Sequence, residues 1–190
     1  MLAHPENEAM KALLSALLIL TFGVLSVSAD EYVGDRRWLA SPDNRHLLTF
    51  SGDNPSLPNA FAIQDLHGKT LFSSRDCADL RDVLTYEPQH ARWSSDGLVV
   101  AIAAGHPKFL LTYIFARSGD AFVSVPVPPL ADGYDNPWIL PTEWLNDRTL
   151  RVTISGPHAG KARDGGYHGE AKLRVTLDPP KCNKTFERIK

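Results

Sequence analysis

Cysteine is scarce in this chain. There are two in 190 residues, Cys77 and Cys182, so at most one internal disulfide can form. An excess of charge of either sign is lacking too. Twenty Lys and Arg stand against 22 Asp and Glu, a formal charge of −2. The molecule as a whole is therefore not a polyanion binder, and no specific nucleic acid is expected. Catalytic signatures are missing. No Gly-x-Ser-x-Gly elbow and no Cys/His nucleophile pair occurs. Gly160-Lys161 lacks the frame of a phosphate loop. Residues 132–136 (DGYDN) offer oxygen atoms without the spacing of an EF-hand, and read as a turn before Pro137. No catalytic residue, cofactor or metal is assigned.

Long apolar runs are also lacking, with one exception. Residues 12–27 (ALLSALLILTFGVLSV) are apolar apart from Ser15, Thr21, Gly23 and Ser26. Lys11 precedes the run, and Val27-Ser28-Ala29 supplies small residues at its exit. This reads as a signal peptide over residues 1–29, cleaved after Ala29, which leaves a periplasmic or secreted domain at 30–190. Glu6 and Glu8 make a poor n-region, so Met10 reads as the true start. The competing reading is an uncleaved anchor, the one route to a membrane, since 16 residues is near the lower edge for a span. No cysteine stands at the exit, so a bacterial lipoprotein is not indicated. In an oxidising compartment Cys77 and Cys182 are expected to pair. The bridge would close a loop of about 105 residues, for which chain entropy gives about 4–5 kcal/mol. Two buried thiols are the alternative.

What is present is ordinary globular material, 43% hydrophobic and 22% charged, enough for a core. It is organised around residues 91–102 (ARWSSDGLVVAI). A tryptophan leads into a polar turn, and an apolar β-branched run follows. Weaker copies flank it. Residues 41–50 (SPDNRHLLTF) come before, and residues 144–149 (WLNDRT), with a strand from Leu150, come after. Asp43 and Asp96 are 53 residues apart, Asp96 and Asp147 are 51 apart. A fixed period of this size signals repeat architecture. Each unit reads as turn, strand, loop, strand, turn, strand, with boundaries near 40–90, 91–141 and 142–190. The turn aspartates are expected to cap their own backbone. Trp93 and Trp144 are expected to pack at equivalent places. Residues 75–88 read as a charged stretch holding a short helical turn or an outer strand.

Trp93-Ser94-Ser95-Asp96-Gly97 with its following strand, and the hairpin at 61–69 (FAIQDLHGK), resemble the TolB-type WD-like β-propeller repeat. The resemblance covers residues 40–189. Ala40 stands where the family's first tryptophan belongs, and the third unit departs further, with Asn146 and Arg148 in its turn. The resemblance implies four-stranded antiparallel blades and a binding role, and it transfers no catalytic residue.

Closed propellers usually have four to eight blades, and three units are present. Their patterning separates them. Leu98-Val99-Val100-Ala101-Ile102 and residues 110–115, broken only by Thr112, are apolar on both faces, as in a sheet covered twice. Residues 171–177 alternate: Ala171, Leu173, Val175 and Leu177 face one way, Lys172, Arg174 and Thr176 the other. The expected fold is all-β: three propeller-like blades of about 50 residues in an open stack or partial propeller, the third with a wet, basic outer face.

Residues 148–190 hold ten Lys and Arg against four acids, whereas residues 30–96 hold eleven acids and seven bases. Arg151, Lys172 and Arg174 are therefore the candidate partner-binding residues. They would meet an acidic protein, a cell-envelope component or the acidic first unit of another copy. A solvated outer sheet whose charges block edge pairing is the competing reading. The leading function is an exported binding or scaffolding module. The alternative is a propeller-type hydrolase or lactonase with its site near His106, His158 and His168. The Gly-rich insertion at 156–170 also carries Asp164 and Glu170, in no standard metal-ligand spacing, and reads as a hairpin tip. Two chains pairing into a six-bladed ring is a third arrangement. Asn183-Lys184-Thr185 is a glycosylation sequon, relevant only in a eukaryotic host.

Overall fold

The structure, a computed structural model, describes residues 32–33, 36–53, 58–157 and 166–189. The expected export segment lies outside the described residues, as do His158 and Asp164. The described chain is all-β. Its strands are β1 (Tyr32–Val33), β2 (Arg36–Ala40), β3 (His46–Ser51), β4 (Ala60–Asp65), β5 (Thr70–Ser73), β6 (Thr85–Trp93), β7 (Val99–His106), β8 (Phe109–Ser118), β9 (Ala121–Val125), β10 (Trp138–Asn146), β11 (Thr149–Gly156), β12 (Tyr167–Leu177) and β13 (Pro180–Ile189).

Strands β1 to β5 form one sheet in chain order, each antiparallel to the next. The other strands form a second, larger sheet. Within it β6 to β9 make one antiparallel meander and β10 to β13 another. The two meanders meet where β8 and β10 run parallel, at the single register pair Trp138↔Leu110. Neither sheet closes into a barrel or a ring.

Strand β7 explains how the layers stack. Successive side chains of a strand point to opposite faces. Val100, Ile102 and Ala104 enter a core shared with Leu48, Phe50, Phe61 and Ile63 of the first sheet. Val99 and Ala101 enter a second core with Leu150, Val152, Ile154 and Leu173. Every residue from Val99 to Ala104 is fully buried. A strand covered on both faces can use a continuous apolar run, and each large aliphatic side chain so buried contributes about 1.5–3 kcal/mol.

The last meander alternates as its sequence requires. Leu150, Val152 and Ile154 on β11, and Ala171, Leu173 and Val175 on β12, are buried. Arg151 stands directly opposite Lys172 on the other face. Strand β12 starts at Tyr167 rather than Ala171, because Tyr167 is fully buried against the second core and pairs with Gly156. The far limb of the Gly-rich insertion is thus strand. The stretch after β5 holds both features expected of it: 3₁₀ turns at Ser74–Asp76 and Ala78–Leu80, then β6. Pro88 falls where the β6–β7 register is interrupted, as a proline inside a sheet requires.

The expected disulfide is not formed in this structure. Cys77 and Cys182 are free thiols. Cys77 packs against the first core and Cys182 against the second, and the second meander lies between those cores.

Candidate functional site

The three polar turns are built alike. In the first, Asp43 accepts hydrogen bonds from the Ser41 hydroxyl at 2.5 Å and the Arg45 N–H at 3.2 Å. In the second, Asp96 accepts from the Ser94 hydroxyl at 2.7 Å and the Leu98 N–H at 3.1 Å. These are Asx turns, the capping role expected of both aspartates. Asp147 does not follow. In the third turn Asn146 accepts the Arg148 N–H at 3.0 Å, while the Asp147 carboxylate takes the Ser95 hydroxyl. The register explains the exchange. Ala40 pairs with Leu47 and Trp93 with Val100, seven positions on in each case. Trp144 pairs with Leu150, six positions on. The third turn is one residue shorter, so Asn146 occupies the place of Asp96.

The turns also join the meanders. The Trp93 indole donates to the Leu39 carbonyl at 3.2 Å, and the Trp144 indole to the Arg92 carbonyl at 2.9 Å. Each tryptophan reaches the residue one before its own equivalent in the preceding meander. Arg148 pairs with Asp96 at 2.6 Å. Burial works to raise the Asp96 carboxyl, but Arg148, the Ser94 hydroxyl and the Leu98 N–H outweigh it and hold it below the usual range. One step earlier Asp43 lies against Gly97, where φ is +67° and a Cβ would collide with its carboxylate.

Arg151, Lys172 and Arg174 come together on one face. Arg151 and Lys172 are cross-strand neighbours, and Arg174 is two residues further along β12. Strand β13 extends the face: Phe186 stands opposite Lys172, Arg188 opposite Glu170, and Lys181 opposite Thr176. Arg151 is paired with Glu143 at 2.5 Å. Lys172 lies over the Phe186 ring at 5.8 Å, a cation–π contact. Among the described residues Lys172, Arg174, Lys181 and Arg188 have no carboxylate within ion-pair distance. Phe186 is 49% exposed beside them. Composition alone pointed to the cations. Phe186 was missed, because its membership depends on the β12–β13 register and its bulge near Leu173.

Of the histidines of the enzymatic alternative, His158 lies outside the described residues, and the other two stand on different strands. His106 ends β7, stacked on Phe109 at 5.8 Å, and His168 lies on β12 opposite Ser155. Among the described residues no group of three His, Cys, Asp or Glu is placed to hold a metal ion. The histidine with an unusual environment is His46. It is buried between the first two meanders, stacked on Trp93 at 6.0 Å and edge-on to Phe122 at 5.1 Å. Its signal in the sequence was alternation with Leu48 and Phe50, which places it on their face of β3.

No protein-family model matches the chain, and no curated protein shows significant similarity to it.

Proposed function

We propose that this chain is an exported, propeller-like repeat module, an open stack of three blades, the first of five strands and the others of four, whose work is binding. Its docking face is the outer side of β10–β13, and its partner is an acidic region of another protein in the cell envelope. The observation that carries this reading is the set of cations Lys172, Arg174, Lys181 and Arg188, with no carboxylate within ion-pair distance among the described residues, around the half-exposed Phe186. A solvated face gains nothing from an exposed aromatic ring, whereas arginine and aromatic side chains are the residue types that anchor interfaces. The resemblance of residues 91–102 and 61–69 to TolB-type repeats agrees with a binding role.

The test is fluorescence anisotropy with a labelled oligoglutamate peptide at two salt concentrations. The parent protein should bind, more weakly at high salt. The combined substitution of Arg151, Lys172 and Arg174 by alanine should abolish binding while the circular dichroism spectrum is retained. Undiminished binding by that variant would remove the docking face. Light scattering on the same samples decides whether two chains pair into a six-bladed ring. Mass spectrometry of the exported form should show Asp30 as its first residue.

A further inference from the structure

Strand β8 changes partner along its length. From Ile114↔Val125 to Ser118↔Ala121 it pairs with β9, and near its start it pairs with β10 at Leu110↔Trp138. The two neighbours part around Thr112, whose hydroxyl donates to the Ile139 carbonyl at 2.8 Å. Where the neighbours of one strand diverge, an open sheet leaves a crevice, and such switch points are recurrent ligand sites.

A cavity of about 350 Å³ lies at this fork, within the size range of small-molecule sites. Its apolar walls come from Leu111, Val125, Leu130 and Ile139, with Pro126 and Pro128 on the connection between β9 and β10. The prolines have fixed φ, so that wall loses little conformational freedom when a ligand enters. Polar groups interrupt the apolar lining: the hydroxyl residues Thr112, Tyr113 and Ser124, and two carboxylates, Asp79 and Asp132. Tyr113 belongs to β8, and Asp79 to the 3₁₀ turn Ala78–Leu80 that leads from the first sheet into β6. Asp79 has no cation within ion-pair distance among the described residues. It lies close enough to act on the Tyr113 hydroxyl, whose pKa is raised by burial first and by this carboxylate second.

We propose that this cavity binds a small organic amine, its apolar body in the fork between β9 and β10 and its ammonium at Asp79 and Tyr113. Carboxylates lining an otherwise apolar cavity complement a cation, and Asp79 has no ion-pair partner among the described residues. The tyrosine adds a hydroxyl acceptor and a ring face for the same charge. The lining shares no residue with the basic docking face, so either can fail without the other.

The test is calorimetric titration of the folded protein with 4-phenylbutylamine, 4-phenylbutanol and 4-phenylbutyrate, which share a body and differ in charge. The amine should bind tightest, with amide NMR shifts centred on Leu111, Thr112 and Ser124. Asp79→Asn should weaken the amine by about three- to tenfold and leave the alcohol unchanged, with Asp132 as the one carboxylate left in the lining. Ser124→Trp, which fills the cavity from β9, should abolish binding of all three while the circular dichroism spectrum is kept. Equal binding of amine and butyrate, an Asp79→Asn variant indistinguishable from the parent, or no binding of any probe would each overturn the proposal.

Discussion

The Trp144 indole N–H donates to the main-chain carbonyl of Arg92 at 2.9 Å, one of the side-chain bonds that tie the third meander to the second. Trp144→Phe keeps an aromatic ring and removes the donor together with part of the indole's packing against the second core. Loss of a hydrogen bond of this kind costs about 0.5–1.5 kcal/mol, and the lost packing adds to it. Urea denaturation should show that loss as a lowered midpoint at unchanged slope. The parallel change Trp93→Phe, which frees the Leu39 carbonyl, should cost a similar amount. A large loss in one and none in the other would mean that the two bonds are not equivalent.

Gly97 and Asp43 make a second joint. Gly97 has φ +67°, and the Asp43 carboxylate occupies the space a Cβ would need. Gly97→Ala should therefore destabilise by about 1–3 kcal/mol, from backbone strain and the collision together. Adding Asp43→Ala removes the collision and leaves the strain. Its further cost should be smaller in the Gly97→Ala background than in the parent, a coupling that a double-mutant cycle measures.

His46 makes stability depend on pH. Burial lowers its pKa below the ordinary 6.5. Asp43 and the Gly97 main chain pull it up, while Arg117 and Arg45 push it down. The unfolded chain thus takes up a proton at a higher pH than the folded one, so acid favours unfolding. Stability should be full above about pH 6.5 and fall as pH drops through the folded-state value. His90 is shifted the same way by burial and Arg92, with Glu87 opposing. Thermal melts between pH 7.5 and 5 should show a declining midpoint, and His46→Leu should flatten that decline without removing it. An unchanged slope in the variant would assign the whole effect elsewhere.

Cys182 is half-buried, and burial pushes its thiol up to about 12. The thiolate is the reactive form, so Cys182 should resist alkylation at pH 8 in the folded protein and react on denaturation. Intact-mass analysis after alkylation in denaturant should count two free thiols. A mass two hydrogens lighter, with neither cysteine labelled, would show the 77–182 bridge instead.

Side-chain periodicity carried a good part of the layering. The double-faced apolar run at 98–102 marked β7 as the buried centre, and the alternation at 171–177 separated the wet face from the core face. The failures have a common physical origin, since pairing between main chains leaves no mark on side-chain type. Nothing at Thr112 announces that β8 leaves β9 for β10. Nothing at Asn146 announces a turn one residue shorter than its counterparts, which moves the capping role away from Asp147. Phe186 looked like one apolar residue in a charged tail until the β12–β13 register set it beside Lys172. The basic residues could be seen as an excess, but their convergence required strand order.

The indole bonds run in one direction along the chain. Arg92 on β6 accepts from Trp144, Leu39 on β2 accepts from Trp93, and at the corresponding place in the first meander stands Ala40, which has no donor to offer. The array therefore has a polarity, like a polymer with one blocked terminus and one growing end. An added meander following β13 in the chain could continue the series, its acceptor being the carbonyl of Glu143 on β10, one residue before Trp144 as Arg92 is before Trp93 and Leu39 before Ala40. A duplication of residues 91–141 grafted at that end would find its tryptophan's acceptor already in position, and one grafted before β2 would present its acceptor to a methyl group.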